Sequence, residues 1–164
     1  MQQPVGYDRR RAAELMEKYD LDIMFVSSPL NVWYTSGLPM LHSAPNPILE
    51  ALTNKFPNFS IVRRDGGVTV FHWIGFSSVE EFCWADDSAA IFSREMLEDT
   101  LGSTLEEMGL AGCRCGVESD VPKYLADILS GGELGLSVQV CDELLSELRL
   151  VKSAEELARL TRAM

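Results

Sequence analysis

The sequence predicts an α/β domain of three layers: a mixed six-stranded sheet covered by helices on both faces. Three observations lead there. Ile23 to Val26 form an apolar run that passes straight into a proline-opened helix. Phe59 to Trp73 reads as two strands about a tight Asp65-Gly66-Gly67 turn. From Ala89 onward, short apolar strands alternate with amphipathic helices over short connections, the pattern of right-handed parallel βαβ units. An early hairpin and late βαβ units share one sheet only if it mixes antiparallel and parallel neighbours.

Taken in order, Tyr7 to Tyr19 repeats apolar residues at Ala12, Leu15, Met16 and Tyr19, the spacing of an amphipathic helix, with Asp8 as its N-cap. Arg9, Arg10 and Arg11 form its exposed side, where surface arginines are solvated or paired with acids. The stretch Leu21 to Gly37 is then a strand, a turn and a short helix, with Ser28 as N-cap and Pro29 as N1. Such a turn lies at the carboxyl end of a strand, where open α/β sheets bind ligands, and it delivers Asn31, Tyr34, Ser36 and Gly37 to that edge.

Residues 38–58 hold Pro39, Pro45, Pro47 and Pro57, a composition that favours an ordered irregular loop with at most a turn or two of helix near Ile48 to Lys55. After the hairpin, Ser78 and Glu81 form a capping box for a short helix over Ser77 to Trp84. Ala89 to Phe92 is a brief strand. Ser93 caps a helix through Met108, with Met96, Leu97, Leu101, Leu105 and Met108 as its buried stripe and Gly109 as its stop. Arg114 to Glu118 is a strand, Val121 to Leu129 a helix and Ser137 to Val140 a strand. Asp142 caps a helix through Leu148, and Ser153 with Glu156 opens another, with Leu157, Leu160 and Met164 on one side. That last helix has no stop signal before Met164, so the natural polypeptide is expected to continue.

At 164 residues the chain can bury roughly 70% of its unfolded surface without disulfide or metal staples. Fourteen basic against 25 acidic residues give a net charge of −11, which repels phosphate backbones and anionic lipid, so neither nucleic acid nor membrane is an expected partner. No apolar run nears the roughly 18 residues of a spanning helix, and the start has no apolar signal core; the expected location is the cytoplasm. Cys83, Cys113, Cys115 and Cys141 lack two-plus-two ligand spacing and read as reduced packing residues, with Cys113 and Cys115 on one strand face.

Nucleophilic catalysis has little support, because Ser27-Ser28 and Ser77-Ser78 lie in no nucleophile elbow and have no local base. Gly66-Gly67, Gly131-Gly132 and the glycines of 112–116 match no phosphate-binding loop. Asp22, Glu118, Asp120 and Asp142 stand at strand ends, where acids either converge on divalent ions or serve as caps. Of the two histidines, His72 in its strand reads as a structural or surface residue. His42, in the proline-rich loop, is placed to donate to a ligand carboxylate or carbonyl.

In their order, these pieces resemble the N-terminal domain of the creatinase/prolidase family, which includes Xaa-Pro aminopeptidases and dipeptidases. The resemblance rests on the arginine-bearing first helix, D-L-D-I-M-F-V-S, N-x-x-Y-x-S-G (Asn31, Tyr34, Ser36, Gly37), the D-G hairpin, a late G-V-E strand, and L-R-x-V-K-S-x-x-E from Leu148 to Glu156. It implies a ribonuclease H-like fold over residues 1–150. Residues 151–164 would begin a linker helix, with Arg149, Lys152, Ser153 and Glu156 as linker residues.

It also implies a separate C-terminal catalytic domain holding a dinuclear divalent metal centre (Mn, Co or Zn). This chain would itself have no catalytic or metal-ligating residue. Its implied role is to close the site over a small peptide substrate and to form a homodimer, with His42 on the substrate rim and Asn31, Tyr34, Ser36 and Gly37 fixing the turn beneath it. The resemblance equally admits a creatinase-type C–N hydrolase or a peptidase-like protein-binding module without catalysis. Apart from it, a self-contained small-molecule binder also stays open.

Overall fold

The computed structural model describes residues 4–38, 58–73, 83–93 and 95–164. Six strands form one sheet: β1 (Ile23–Val26), β2 (Phe59–Arg63), β3 (Val68–Trp73), β4 (Asp87–Ile91), β5 (Arg114–Val117) and β6 (Ser137–Val140). Among the described residues six helices accompany them: α1 (Arg9–Lys18), α2 (Pro29–Ser36), α3 (Leu97–Glu107), α4 (Lys123–Ser130), α5 (Asp142–Leu150) and α6 (Ala154–Ala163). The strand order is β4-β3-β2-β1-β5-β6. β1–β2 and β2–β3 are antiparallel, while β1–β5, β5–β6 and β3–β4 are parallel. The expected mixed six-stranded α/β architecture is therefore the one observed.

The layers follow from the two-residue period of β1, whose side chains are buried throughout. Met24 and Val26 face a core formed with Ala12, Leu15 and Met16 of α1, Val32 and Tyr34 of α2, and Leu144, Leu145 and Leu148 of α5. Ile23 and Phe25 face the other core, with Phe59, Ile61, Phe71, and the α3 and α4 leucines 97, 101, 105, 125 and 129. There Phe25, Phe59 and Phe71 stack in sequence at centroid separations of 4.6 Å and 4.6 Å. Burying an aromatic side chain of this kind contributes on the order of 2–3 kcal/mol.

Local signals placed several elements correctly. Asp8 accepts from the Arg11 N–H as the α1 cap. Arg63 N donates to Gly67 O to close the hairpin, and the Asp65 carboxylate accepts from Gly67 N. Ser153 and Glu156 form a reciprocal capping box. The arginines of α1 are paired or solvated: Arg9 contacts Asp86 at 2.5 Å, Arg10 contacts Glu14 at 3.8 Å, and Arg11 donates to Glu147 O at 3.0 Å. All four cysteines are free thiols.

Other boundaries differ. α3 begins at Leu97 rather than after Ser93, and Met96 is exposed, because only Leu97, Leu101 and Leu105 share the face that meets the sheet. A side chain one position earlier points about 100° away. Asp142 is the first residue of α5, not its cap; its carboxylate accepts from Ser119 N at 2.9 Å, and the helix runs on to Leu150. α4 starts at Lys123 behind Pro122. Cys113 precedes β5 instead of lying in it, although it packs against the same core as Cys115. The apolar side of α6, Leu157, Leu160 and Met164, is exposed. The expected helix near Ile48 to Lys55, residue His42 and most of the Ser77 to Trp84 helix lie outside the described residues; Cys83 and Trp84 are buried and not helical.

Candidate functional site

The carboxyl ends of β1 and β5 are adjacent, and the chain leaves them in opposite directions. From β1 it enters α2, on the α1 and α5 side of the sheet; from β5 it enters α4, on the other side. A crevice opens where parallel neighbours diverge in this way. It is a cleft of about 480 Å³ whose walls include Ser28, Asn31, Glu118, Asp142, Arg149 and Lys152.

Glu118 is its centre. The residue follows the last position of β5 and is 3% exposed. One carboxylate oxygen accepts from the backbone N–H groups of Ser27 (2.5 Å) and Ser28 (2.7 Å), and the other accepts from Asn31 Nδ2 (2.6 Å). The amino end of α2, which carries partial positive charge and unsatisfied N–H groups, thus receives an anion from the chain itself. This explains why Ser28 holds the N-cap position of α2 without any side-chain cap bond. Asn31 Oδ1 in turn accepts from Arg149 Nη1 at 2.8 Å.

The remaining residues singled out in the sequence occupy distinct places. Tyr34 donates to Gly6 O at 2.9 Å and lies 3.3 Å from Leu148 O, joining the N-terminal arm, α2 and the end of α5. Burial pushes its hydroxyl up to about 12, so it remains a donor throughout the neutral range. Ser36 donates to Val32 O at 2.6 Å and accepts from Leu38 N at 3.1 Å. Gly37 ends α2 in the left-handed conformation, φ 79°, with its N–H on Trp33 O. Ser36 and Gly37 stand at the far end of α2, roughly 7–9 Å along its axis from Asn31 on the cleft wall.

The residues expected to form a linker divide likewise. Arg149 and Lys152 border the cleft, and Lys152 Nζ donates to Arg149 O. Ser153 donates to Val5 O at 2.8 Å while also capping α6 with Glu156. His72 lies in β3 with Nδ1 3.3 Å from Trp73 O, away from the cleft lining.

Three of the four strand-end acids, Glu118, Asp120 and Asp142, line this cleft, and the fourth lies away from it. Asp22 sits at the opposite end of β1, where Arg114 and Arg64 hold it, at 3.0 Å and 3.1 Å. Glu118 accepts from three N–H donors and Asp142 from Ser119 N. Among the described residues no group of three or more His, Cys, Asp or Glu is placed to hold a metal ion. The donor set here does not fit a dinuclear centre.

What the sequence did not reveal is the role of Glu118. Its only local signal was a carboxylate directly after an apolar strand, in G-V-E, a pattern shared by ordinary helix caps.

Fold and cleft together define an α/β domain with an open carboxyl-edge crevice in which the chain's own Glu118 occupies the amino end of α2. The family model for the creatinase/prolidase N-terminal domain matches residues 9–151, and the chain belongs to that family. A comparison with curated protein sequences gave no significant match. Among solved structures, the dipeptidase of Pyrococcus horikoshii OT3 superposes with a TM-score of 0.67 at 20% identity, over 91% of this chain and 38% of that one. The prolidase of Pyrococcus furiosus does so with 0.61 at 16%, over 91% and 40%. The N-terminal domain of the cytoplasmic peptidase PepQ of Mycobacterium tuberculosis H37Rv gives 0.56 at 19%, over 87% of this chain and all of that one (100%). The chain thus spans about two fifths of the two Pyrococcus proteins.

Proposed function

We propose that this chain is the non-catalytic N-terminal domain of a metal-dependent Xaa-Pro dipeptidase or aminopeptidase, and that it contributes to closure of the substrate site and to dimerisation. The reading rests on the family match over residues 9–151, which takes in Arg149 at the head of the linker. In it, the dinuclear metal and the hydrolytic residues belong to a C-terminal domain, a small peptide is the substrate of the whole protein, and the location is cytoplasmic. Residues 151–164 begin the linker helix.

Incubating the chain with Xaa-Pro dipeptides and manganese or cobalt should give no hydrolysis. Measurable turnover would overturn the assignment of the chemistry to another domain. His42, as a rim residue, has a narrower expectation: in the full-length enzyme, His42→Ala raises KM more than it lowers kcat, and unchanged constants for every dipeptide would remove it from the site.

A further inference from the structure

Three sequence motifs far apart in the chain meet in one hydrogen-bonded line. Asn31 belongs to N-x-x-Y-x-S-G, Glu118 to G-V-E and Arg149 to L-R-x-V-K-S. Both ends of the line have fixed polarity. Arginine can only donate, and an ionised carboxylate can only accept. Asn31 alone can present either sense, and it matches both ends by turning Oδ1 to Arg149 (2.8 Å) and Nδ2 to Glu118 (2.6 Å). Beyond Glu118 the line ends on two backbone N–H groups of the β1–α2 turn.

We infer that Arg149, Asn31 and Glu118 form a directional relay that ties the segment leaving α5 to the β1–α2 turn and fixes the direction in which that segment departs. They are positioning residues. Arg149 is in the last turn of α5, and its guanidinium also lies 5.9 Å from the centre of the Tyr34 ring, whose hydroxyl contacts Leu148 O. Residues 148, 149 and 153 are thereby tied to α2 or to the N-terminal arm. That this direction presents a following catalytic domain rests on the functional reading above; the relay does not.

The test is a reversal of polarity. In Glu118→Gln the side-chain oxygen stays on the Ser27 and Ser28 N–H groups, so its NH2 faces Asn31. Asn31 must then flip, and its own NH2 meets Arg149. The folding constant of the chain, from urea titration, should fall roughly 10-fold to 100-fold. Arg149→Glu should also lower it in the natural background, where it sets an acceptor against an acceptor. In the Glu118→Gln background it should raise it about 2-fold to 5-fold, because the flipped Asn31 now finds an acceptor. The same effect of Arg149→Glu in both backgrounds would overturn the relay.

Should Glu118→Gln not fold, Arg149→Leu at its exposed position serves instead. Hydrogen exchange at the Ser27 and Ser28 amides should quicken several-fold, and unchanged exchange would overturn transmission from the linker to the turn. Both experiments read the chain alone, so their failure leaves the peptidase reading standing. Dipeptide hydrolysis by the chain would do the reverse.

Discussion

Gly66 lies directly against the backbone of Arg9: a Cβ built on Gly66 would stand 2.2 Å from the Arg9 carbonyl oxygen. The hairpin tip therefore docks on the first turn of α1, and Tyr7 strengthens the contact by donating to Gly66 O at 2.7 Å. Gly66 also has φ +77°. Gly66→Ala must both adopt a left-handed conformation and displace α1, so a loss of about 2–4 kcal/mol is expected by urea unfolding. Gly109→Ala, with φ +68° and nothing within 4 Å, should cost only the conformational part, about 1 kcal/mol. Equal losses at the two positions would contradict the docking.

Acid should weaken the domain through Asp22. The Arg114 guanidinium, helped by the Arg114 backbone N–H, lowers the Asp22 carboxyl to about 2. A carboxyl depressed in the folded state stabilises at pH values above its unfolded pKa of roughly 3.9, and this contribution is lost as pH falls towards 2. Asp22→Asn should be less stable at pH 7 and show a shallower decline between pH 4 and pH 2. Identical acid limbs in urea titrations would exclude this role.

The cysteines should be slow to react. Burial pushes the Cys83 and Cys113 thiols up to about 11 and the Cys115 thiol up to about 12, and it raises Cys141 as well. Thiolate, the reactive form, is scarce in all four at pH 8. Labelling by a disulfide reagent should be much slower in the folded chain than in urea, with the part-exposed Cys113 reacting first.

α6 has no buried residue, so its order depends on a few bonds: the capping box, the Glu155–Arg159 pair, and the long-range Ser153 contact with Val5 O. Ser153→Ala removes the hydroxyl half of the box and the Val5 contact, while the residue 153 N–H stays on Glu156, and should cost the helix about 1 kcal/mol. Faster amide exchange confined to 153–163 is the expected signature, and unaltered exchange there would show that the cap does not hold the helix.

The sequence was legible wherever a signal and its consequence lay within a few residues. Asp8, Asp65-Gly66 and the Ser153–Glu156 box each act on backbone groups at most three positions away, so spacing alone located the helix starts and the hairpin. Ser93 failed by the same logic. A cap residue was present, but the start of α3 is set by which side chains reach the sheet, and Leu97 is the first to do so. The cleft was harder still, because Glu118 lies 87 residues from Asn31 and Arg149 lies 118 from it. The position of Asp142 before an apolar helix predicts a cap, whereas its carboxylate serves Ser119 across the parallel strands.

The position of β1 bears on the order in which the molecule can assemble. On one side it pairs antiparallel with β2, which continues through a tight turn into β3; on the other it pairs parallel with β5, placing Ile23 beside Cys115. The β2–β3 hairpin closes over a few residues, and the β1–β2 ladder joins Ile23 to Arg63, 40 positions apart. The β1–β5 ladder must bring together points 92 positions apart, and closing a longer loop costs entropy that grows by about 0.6 kcal/mol per doubling. Folding should therefore run outward from the β2–β3 hairpin and reach β5 and β6 late. The cleft, which needs both sides of that junction, is among the last features to exist and among the first to be lost.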